Sequence, residues 1–171
     1  AWGREGLENP LVETDGKWSI DFDDFAEKGK QCRIFLLWNP QNPVGRVWEP
    51  EELRKMAELC VESGTLLVSD EIHSDLIFHG KRHTPTASLS PEIAANTITC
   101  ISATKTFNLA GLQASTTIFP NKDMKRAFEE FWGRMDIRRN NAFSCVAMEA
   151  AYREGEEWLD QLLPYISGNF D

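Results

Sequence analysis

The stretch RIFLLWNPQNPVGRVWEPEELRKMAELCVESGTLLVSD, residues 33–70, decides the fold. Its first six residues, Arg33 to Trp38, are an almost unbroken apolar run, as in a buried strand bounded by turn residues. Asn39-Pro40-Gln41-Asn42-Pro43-Val44-Gly45 then interrupts it with residues that fix backbone angles or favour turns. Pro50 suits the first turn of a helix, and Glu49, Glu51 and Glu52 lie near the positive end of its dipole. Leu53, Met56, Ala57, Cys60 and Val61 follow the i, i+3, i+4, i+7, i+8 spacing, which predicts one apolar stripe laid on a sheet. Gly64 supplies the stop. Residues 65–69 read as the next strand, with Asp70 at its C-terminal end. Strand, helix and strand in this order predict an α/β fold with mainly parallel strands.

The same alternation extends towards the C-terminus. A short helical stretch near Pro91 precedes a third strand at residues 97–101, followed at once by Ser102-Ala103-Thr104-Lys105. Residues 113–119 read as a fourth strand, reached too soon from Lys105 for a helical crossover and therefore antiparallel to its neighbour. A helix over residues 122–135 carries Met124, Phe128, Phe131 and Met135 on one face, expected to be core; Trp132 and Phe143 fit either the core, the favoured reading, or an interface between subunits. Residues 143–152 and 156–166 are two further helical patterns. Internal repeats, low-complexity tracts and Gly/Ser linkers are absent from the sequence.

The chain has 171 residues and a net charge of -9 from 27 acidic and 18 basic side chains, with 42% hydrophobic and 26% charged residues. That balance describes a soluble globular domain and argues against a general nucleic-acid or anionic-membrane surface. The longest apolar run, Ile34 to Trp38, has five residues, far below the roughly 20 that span a bilayer. Cys32, Cys60, Cys100 and Cys145 form no C-x-x-C pair and read as reduced, mostly buried cytoplasmic thiols. His73, His79 and His83 lie close together, but Gly80 and Pro85 break any helical face, so they read as surface or packing histidines and no metal site is expected. The opening on Ala1 and the stop soon after an amphipathic helix begins read as the ends of a fragment.

In open α/β sheets ligands sit beyond the carboxyl ends of the strands. That rule places Asn42, Asp70 and Lys105 at one crevice. Each alone reads as a turn residue, a helix cap or a solvated lysine. Together they offer a chemistry: a lysine amine can form a Schiff base with an aldehyde cofactor, and pyridoxal phosphate (PLP) needs an acidic partner at its pyridine nitrogen. Asp70 suits that second task, and the Asn42 amide can donate to the ring's phenolic oxygen.

Three segments, Asn39 to Trp48, Ser69 to Asp75 and Ser102 to Gln113, resemble the class I/II aminotransferase family of fold-type I PLP enzymes, and within it the cystathionine β-lyase branch of C–S lyases. The resemblance runs from Asp15-Gly16 through Tyr165. It implies a three-layer α/β/α large domain, incomplete here, with a mainly parallel sheet and one antiparallel strand. Residues 1–171 would be part of that PLP-binding domain, and residues 154–171 the start of the helix leading to a C-terminal small domain. By position, Lys105 becomes the Schiff-base lysine and catalytic base, Asp70 the pyridinium partner, Asn42 the ligand of the phenolic oxygen and Ser102 a ligand of the cofactor phosphate. His73 stands where the wider family usually has a tyrosine at the same oxygen. Gln113 stands where that family often has a phosphate-binding arginine, whose charge a glutamine cannot replace. Both departures match the lyase branch.

The resemblance further implies a homodimer acting on a small amino-acid substrate, with α,β-elimination on a sulfur amino acid as the reaction. Transamination uses the same residues and is the alternative; a non-catalytic interaction module is the second. Ser102-x-x-Lys105 also matches the nucleophile motif of penicillin-recognising enzymes, but the S-D-N and K-T-G elements that accompany it do not occur. No G-x-G-x-x-G or Walker loop supports a nucleotide site.

Overall fold

A computed structural model describes residues 3–78, 80–137 and 140–169. The chain opens with a hairpin that the pattern reading does not predict, β1 (Val12–Thr14) paired antiparallel with β2 (Lys17–Ser19). Asp15 and Gly16 join them, both at positive φ (51° and 75°), the geometry for which an Asp-Gly pair is suited in a two-residue turn. A short helix, α1 (Phe22–Gly29), follows; Asp21 caps it by accepting from the amides of Asp23 and Asp24, and its Phe25 is buried.

The decisive stretch folds as expected into β3 (Ile34–Trp38), α2 (Pro50–Ser63) and β4 (Leu66–Asp70). The Glu52 carboxylate accepts the Glu49 amide at 3.0 Å at the start of α2. At its end Gly64 adopts φ 69° and donates back to the Cys60 carbonyl, a left-handed cap that glycine adopts without a Cβ penalty. Then come α3 (Pro91–Ala95), β5 (Thr97–Ile101), the single-turn α4 (Ala103–Thr106), β6 (Thr116–Ile118), α5 (Lys122–Arg134), α6 (Ser144–Glu154) and α7 (Glu156–Ser167). The four-stranded sheet has the order β3-β4-β5-β6. Its first three strands are parallel, and β6 runs antiparallel to β5, with Cys100 opposite Thr117. This is the mainly parallel sheet with one antiparallel strand that the sequence predicts.

Leu53, Met56, Ala57 and Cys60 of α2 pack with Phe25, Leu37, Trp48, Leu67 and Ile93 into one core. Burial pushes the Cys60 thiol up to about 12. Trp48 is fully enclosed, its indole donating to the Trp38 carbonyl at 2.9 Å; burying such a ring requires a partner for its N–H.

Several burial expectations are corrected. Val61 lies off the buried stripe and is exposed, and of the four cysteines only Cys60 is buried, while Cys145 is exposed. The strand β3 is buried on one face alone: Leu37 points into the core, whereas Ile34, Leu36 (57% exposed) and Trp38 line the other face. Phe128 and Phe131 of α5 and Met135 just after it are exposed, and Phe143 is 74% exposed. The rings of Phe119, Phe128, Phe131 and Trp132 instead pack on one another at centroid distances of 5.1 to 6.2 Å. Helical periodicity identifies an apolar face, but it does not say that the covering partner lies in the same chain.

Candidate active site

Parallel pairing brings the carboxyl ends of β3, β4 and β5 to one edge. Trp38 is opposite Asp70, and Asp70 is opposite Cys100. The hydrogen bonding continues one residue further: the Asn39 amide donates to the Asp70 carbonyl at 3.0 Å, and the Glu71 amide to the Cys100 carbonyl at 2.8 Å. Asp70 is thus held between two neighbours, with its Oδ1 accepting the Ile72 amide at 3.3 Å. Asn42 lies three residues beyond Asn39 and is exposed. It lies in the loop after β3, and no hydrogen bond joins it to Asp70 or Lys105 among the described residues.

Lys105 is carried by α4, directly after β5. Its neighbours Thr104 and Thr106 are buried while Lys105 itself is exposed. Among the described residues its amine has no hydrogen-bond or ion-pair partner. His73, half-buried, links this amine to Asp70 electrostatically. Its pKa is held below the ordinary histidine value by burial and then by the charge of Lys105, with Asp70 pulling the other way. The charges of Lys105 and Asp70 therefore both act on the imidazole, while no hydrogen bond or ion pair joins the three side chains among the described residues.

Ser102 is buried and its hydroxyl is engaged. It accepts from the Thr104 amide at 3.1 Å, lies 2.7 Å from Thr104 Oγ1 and donates to the Ala114 carbonyl at 2.7 Å. It caps α4 and ties that turn to the chain before β6. Gln113 is exposed at φ 51°, closing the turn Ala110–Leu112. His79 lies outside the described residues.

One group of polar residues escapes the sequence reading. Glu71 is 2% exposed, and its carboxylate accepts from the Ser69 hydroxyl at 2.8 Å and the Thr86 amide at 3.0 Å, with His83 Nε2 at 2.9 Å. The Asn39 side-chain amide donates to Thr86 Oγ1 at 3.2 Å and to the Thr84 carbonyl at 3.0 Å. Strand alternation holds the one available signal: Leu67, Ser69 and Glu71 share a parity that turns inward, opposite to Asp70. Burial raises the Glu71 carboxyl, but the hydrogen bonds with His83, Thr86 and Ser69 outweigh it and leave the pKa below the ordinary value. His83 is accordingly a packing histidine bound to a carboxylate.

The sequence model described as aminotransferase class I and II matches residues 7–162. The chain belongs to the class I and II aminotransferase family. Among members of that family it is 47% identical over 171 residues to cystathionine beta-lyase PatB of Bacillus subtilis (strain 168), covering 99% of this chain and 44% of the relative. A PLP-bound Clostridium difficile 630 protein described as an aminotransferase superposes with a TM-score of 0.94 at 44% identity, covering 97% of this chain and 43% of that one. Cystalysin from Treponema denticola, whose structure contains pyridoxal 5'-phosphate, gives 0.89 at 36% identity, with 92% and 41% covered. The chain spans less than half the length of each of these relatives.

Proposed function

We propose that this chain is part of the PLP-binding large domain of a C–S β-lyase of the cystathionine β-lyase or cysteine desulfhydrase type. In this reading residues 154–171, which include α7, lead towards a C-terminal small domain. The observation that carries the proposal is the 47% identity to PatB across the chain; that the charges of Lys105 and Asp70 both act on His73 supports it. A cytoplasmic homodimer acting on a small amino acid, without nucleic-acid or membrane partners, completes it. The charge of -9 supports that choice, and among the described residues no helix is long and apolar enough to cross a membrane.

The donor set suits the cofactor. PLP, when bound, supplies an electron sink for the pair released at the substrate Cα. Asp70, fixed by hydrogen bonds on both sides of its strand end, would hold the ring nitrogen. Lys105, whose amine has no competing partner among the described residues, would hold the aldehyde carbon, and Asn42 and His73 would flank the phenolic oxygen. A phosphate ligand role for Ser102 requires its proton to turn away from the Ala114 carbonyl; its support of the site through the cap of α4 needs no such change.

The Nζ of Lys105 would take the substrate Cα proton as general base. The thiolate then departs from Cβ, and the remaining three-carbon fragment hydrolyses to pyruvate and ammonia. His73, with its pKa lowered, is biased towards the neutral form, in which one ring nitrogen donates and the other accepts. Lys105→Ala in the PLP-loaded holoenzyme is expected to lower thiol release from L-cystathionine by about 10²-fold or more. Unchanged thiol release would overturn the assignment. Transamination is the second reading, favoured by the 44% identity to the Clostridium protein described as an aminotransferase.

A further inference from the structure

The turn after β4 brings a second carboxylate to the lysine-bearing helix. Thr106 Oγ1 donates to Asp75 Oδ2 at 2.7 Å. Thr106 is 1% exposed, so its hydroxyl has no access to water as an alternative partner, and Asp75 meets that need. The bond joins two segments 31 residues apart in sequence. One carries His73 and the other carries Lys105.

A single helical turn cannot fix its own orientation, because one turn's hydrogen bonds do not offset the cost of nucleating it. The direction in which Lys105 leaves α4 must therefore come from tertiary contacts. Three are present. The Ser102 hydroxyl ties the start of α4 to the Ala114 carbonyl. Phe107, just past its end, packs against Tyr152 and Trp158 at 6.1 and 5.7 Å between centroids. That ring occupies a notch left by Gly155, where an added Cβ would lie 2.4 Å from it. Between these anchors, and adjacent to Lys105 in sequence, the Thr106–Asp75 bond sets the rotation of the turn. The Asp75 charge also helps raise the Tyr152 phenol above its ordinary pKa, after burial, so Asp75 faces the same packed corner.

We infer that Asp75 is a positioning residue for Lys105, holding the amine in register with Asp70 and His73 through the Thr106 hydroxyl. The inference rests on the lyase reading and deepens it. Its test uses the PLP-loaded holoenzyme with L-cystathionine and four variants: Asp75→Ala, Thr106→Val, the double variant, and Asp75→Asn. The two single losses are expected to lower kcat about 10- to 100-fold with little change in KM, the signature of a misaligned reacting group. The double variant should be no worse than either single, since both remove one bond. Asp75→Asn keeps an oxygen that can accept from Thr106 and should restore most of kcat. The visible circular dichroism of the lysine-bound cofactor should change in the two single losses and return in Asp75→Asn.

Wild-type kcat in both single-loss variants, or a lowered melting temperature with kcat unmoved, would overturn the positioning role and leave the lyase reading standing. If Asp75→Ala does not fold, Thr106→Val carries the same comparison. If the wild-type protein itself shows no cofactor bound at Lys105, the lyase reading fails, and this inference with it.

Discussion

His83 Nε2 lies 2.9 Å from Glu71 Oε2, one residue along the chain from Asp70, with both side chains almost closed to solvent. The Glu71 carboxylate is part of the foundation on which the strand-end residues stand, because the same group fastens Thr86 and Ser69.

This arrangement makes stability depend on pH in a defined direction. The folded-state pKa of Glu71 is below the ordinary value of 4.5. The group's contribution is therefore fully present above the unfolded pKa and is lost as pH falls through the folded one. Glu71→Gln is expected to cost about 2–4 kcal/mol at pH 7, with the gap to wild type narrowing below pH of about 4.5. Urea unfolding of both proteins between neutral and acid pH checks this. A gap that holds constant or widens in acid would refute it.

The pKa of His73 should report the site's charges individually. Replacing Lys105 by Met removes the neighbouring positive charge, so the His73 pKa is expected to rise. Replacing Asp70 by Asn removes the opposing charge, and it should fall further. NMR titration of the His73 ring in the cofactor-free protein measures both. Two unshifted curves would mean that neither charge acts on the imidazole.

The α2 stripe provides a packing test. Leu53 is fully buried in the core, while Val61, two turns along the same helix, is exposed. Leu53→Ala is expected to cost about 2–5 kcal/mol and Val61→Ala no more than about 0.5 kcal/mol. Comparable losses from thermal or urea unfolding would contradict the assignment of the buried face.

The contrast between Leu53 and Val61 also indicates how far the sequence could be read. The strands and helix of residues 33–70 were legible because spacing, turn residues and Gly64 all agree. The strand-end rule put Asp70 at the edge of the sheet and Lys105 directly after β5, since parallel pairing leaves the strand ends level. The exposed faces of α5 and β3 misled, because Phe128 or Leu36 looks the same in sequence whether or not its partner lies in the chain. The hairpin at Asp15-Gly16 was missed because its three-residue strands are too short for a clear alternation. Of the Glu71 network only the inward parity of Ser69 and Glu71 could be read, because Asn39, His83 and Thr86 join them only after the sheet forms. The partners of the Ser102 and Thr106 hydroxyls were hidden for a related reason, as a hydroxyl in sequence does not declare which carbonyl or carboxylate it will find.

The central claim concerns reaction type, and the partition of products tests it most directly. PLP-loaded holoenzyme should be incubated with L-cystathionine and a 2-oxo acid amino acceptor, and pyruvate, thiol and newly formed amino acid measured together. The lyase account predicts pyruvate and thiol released in equal amounts, with little amino-group transfer. Transfer of the amino group to the 2-oxo acid without pyruvate or thiol release would contradict it.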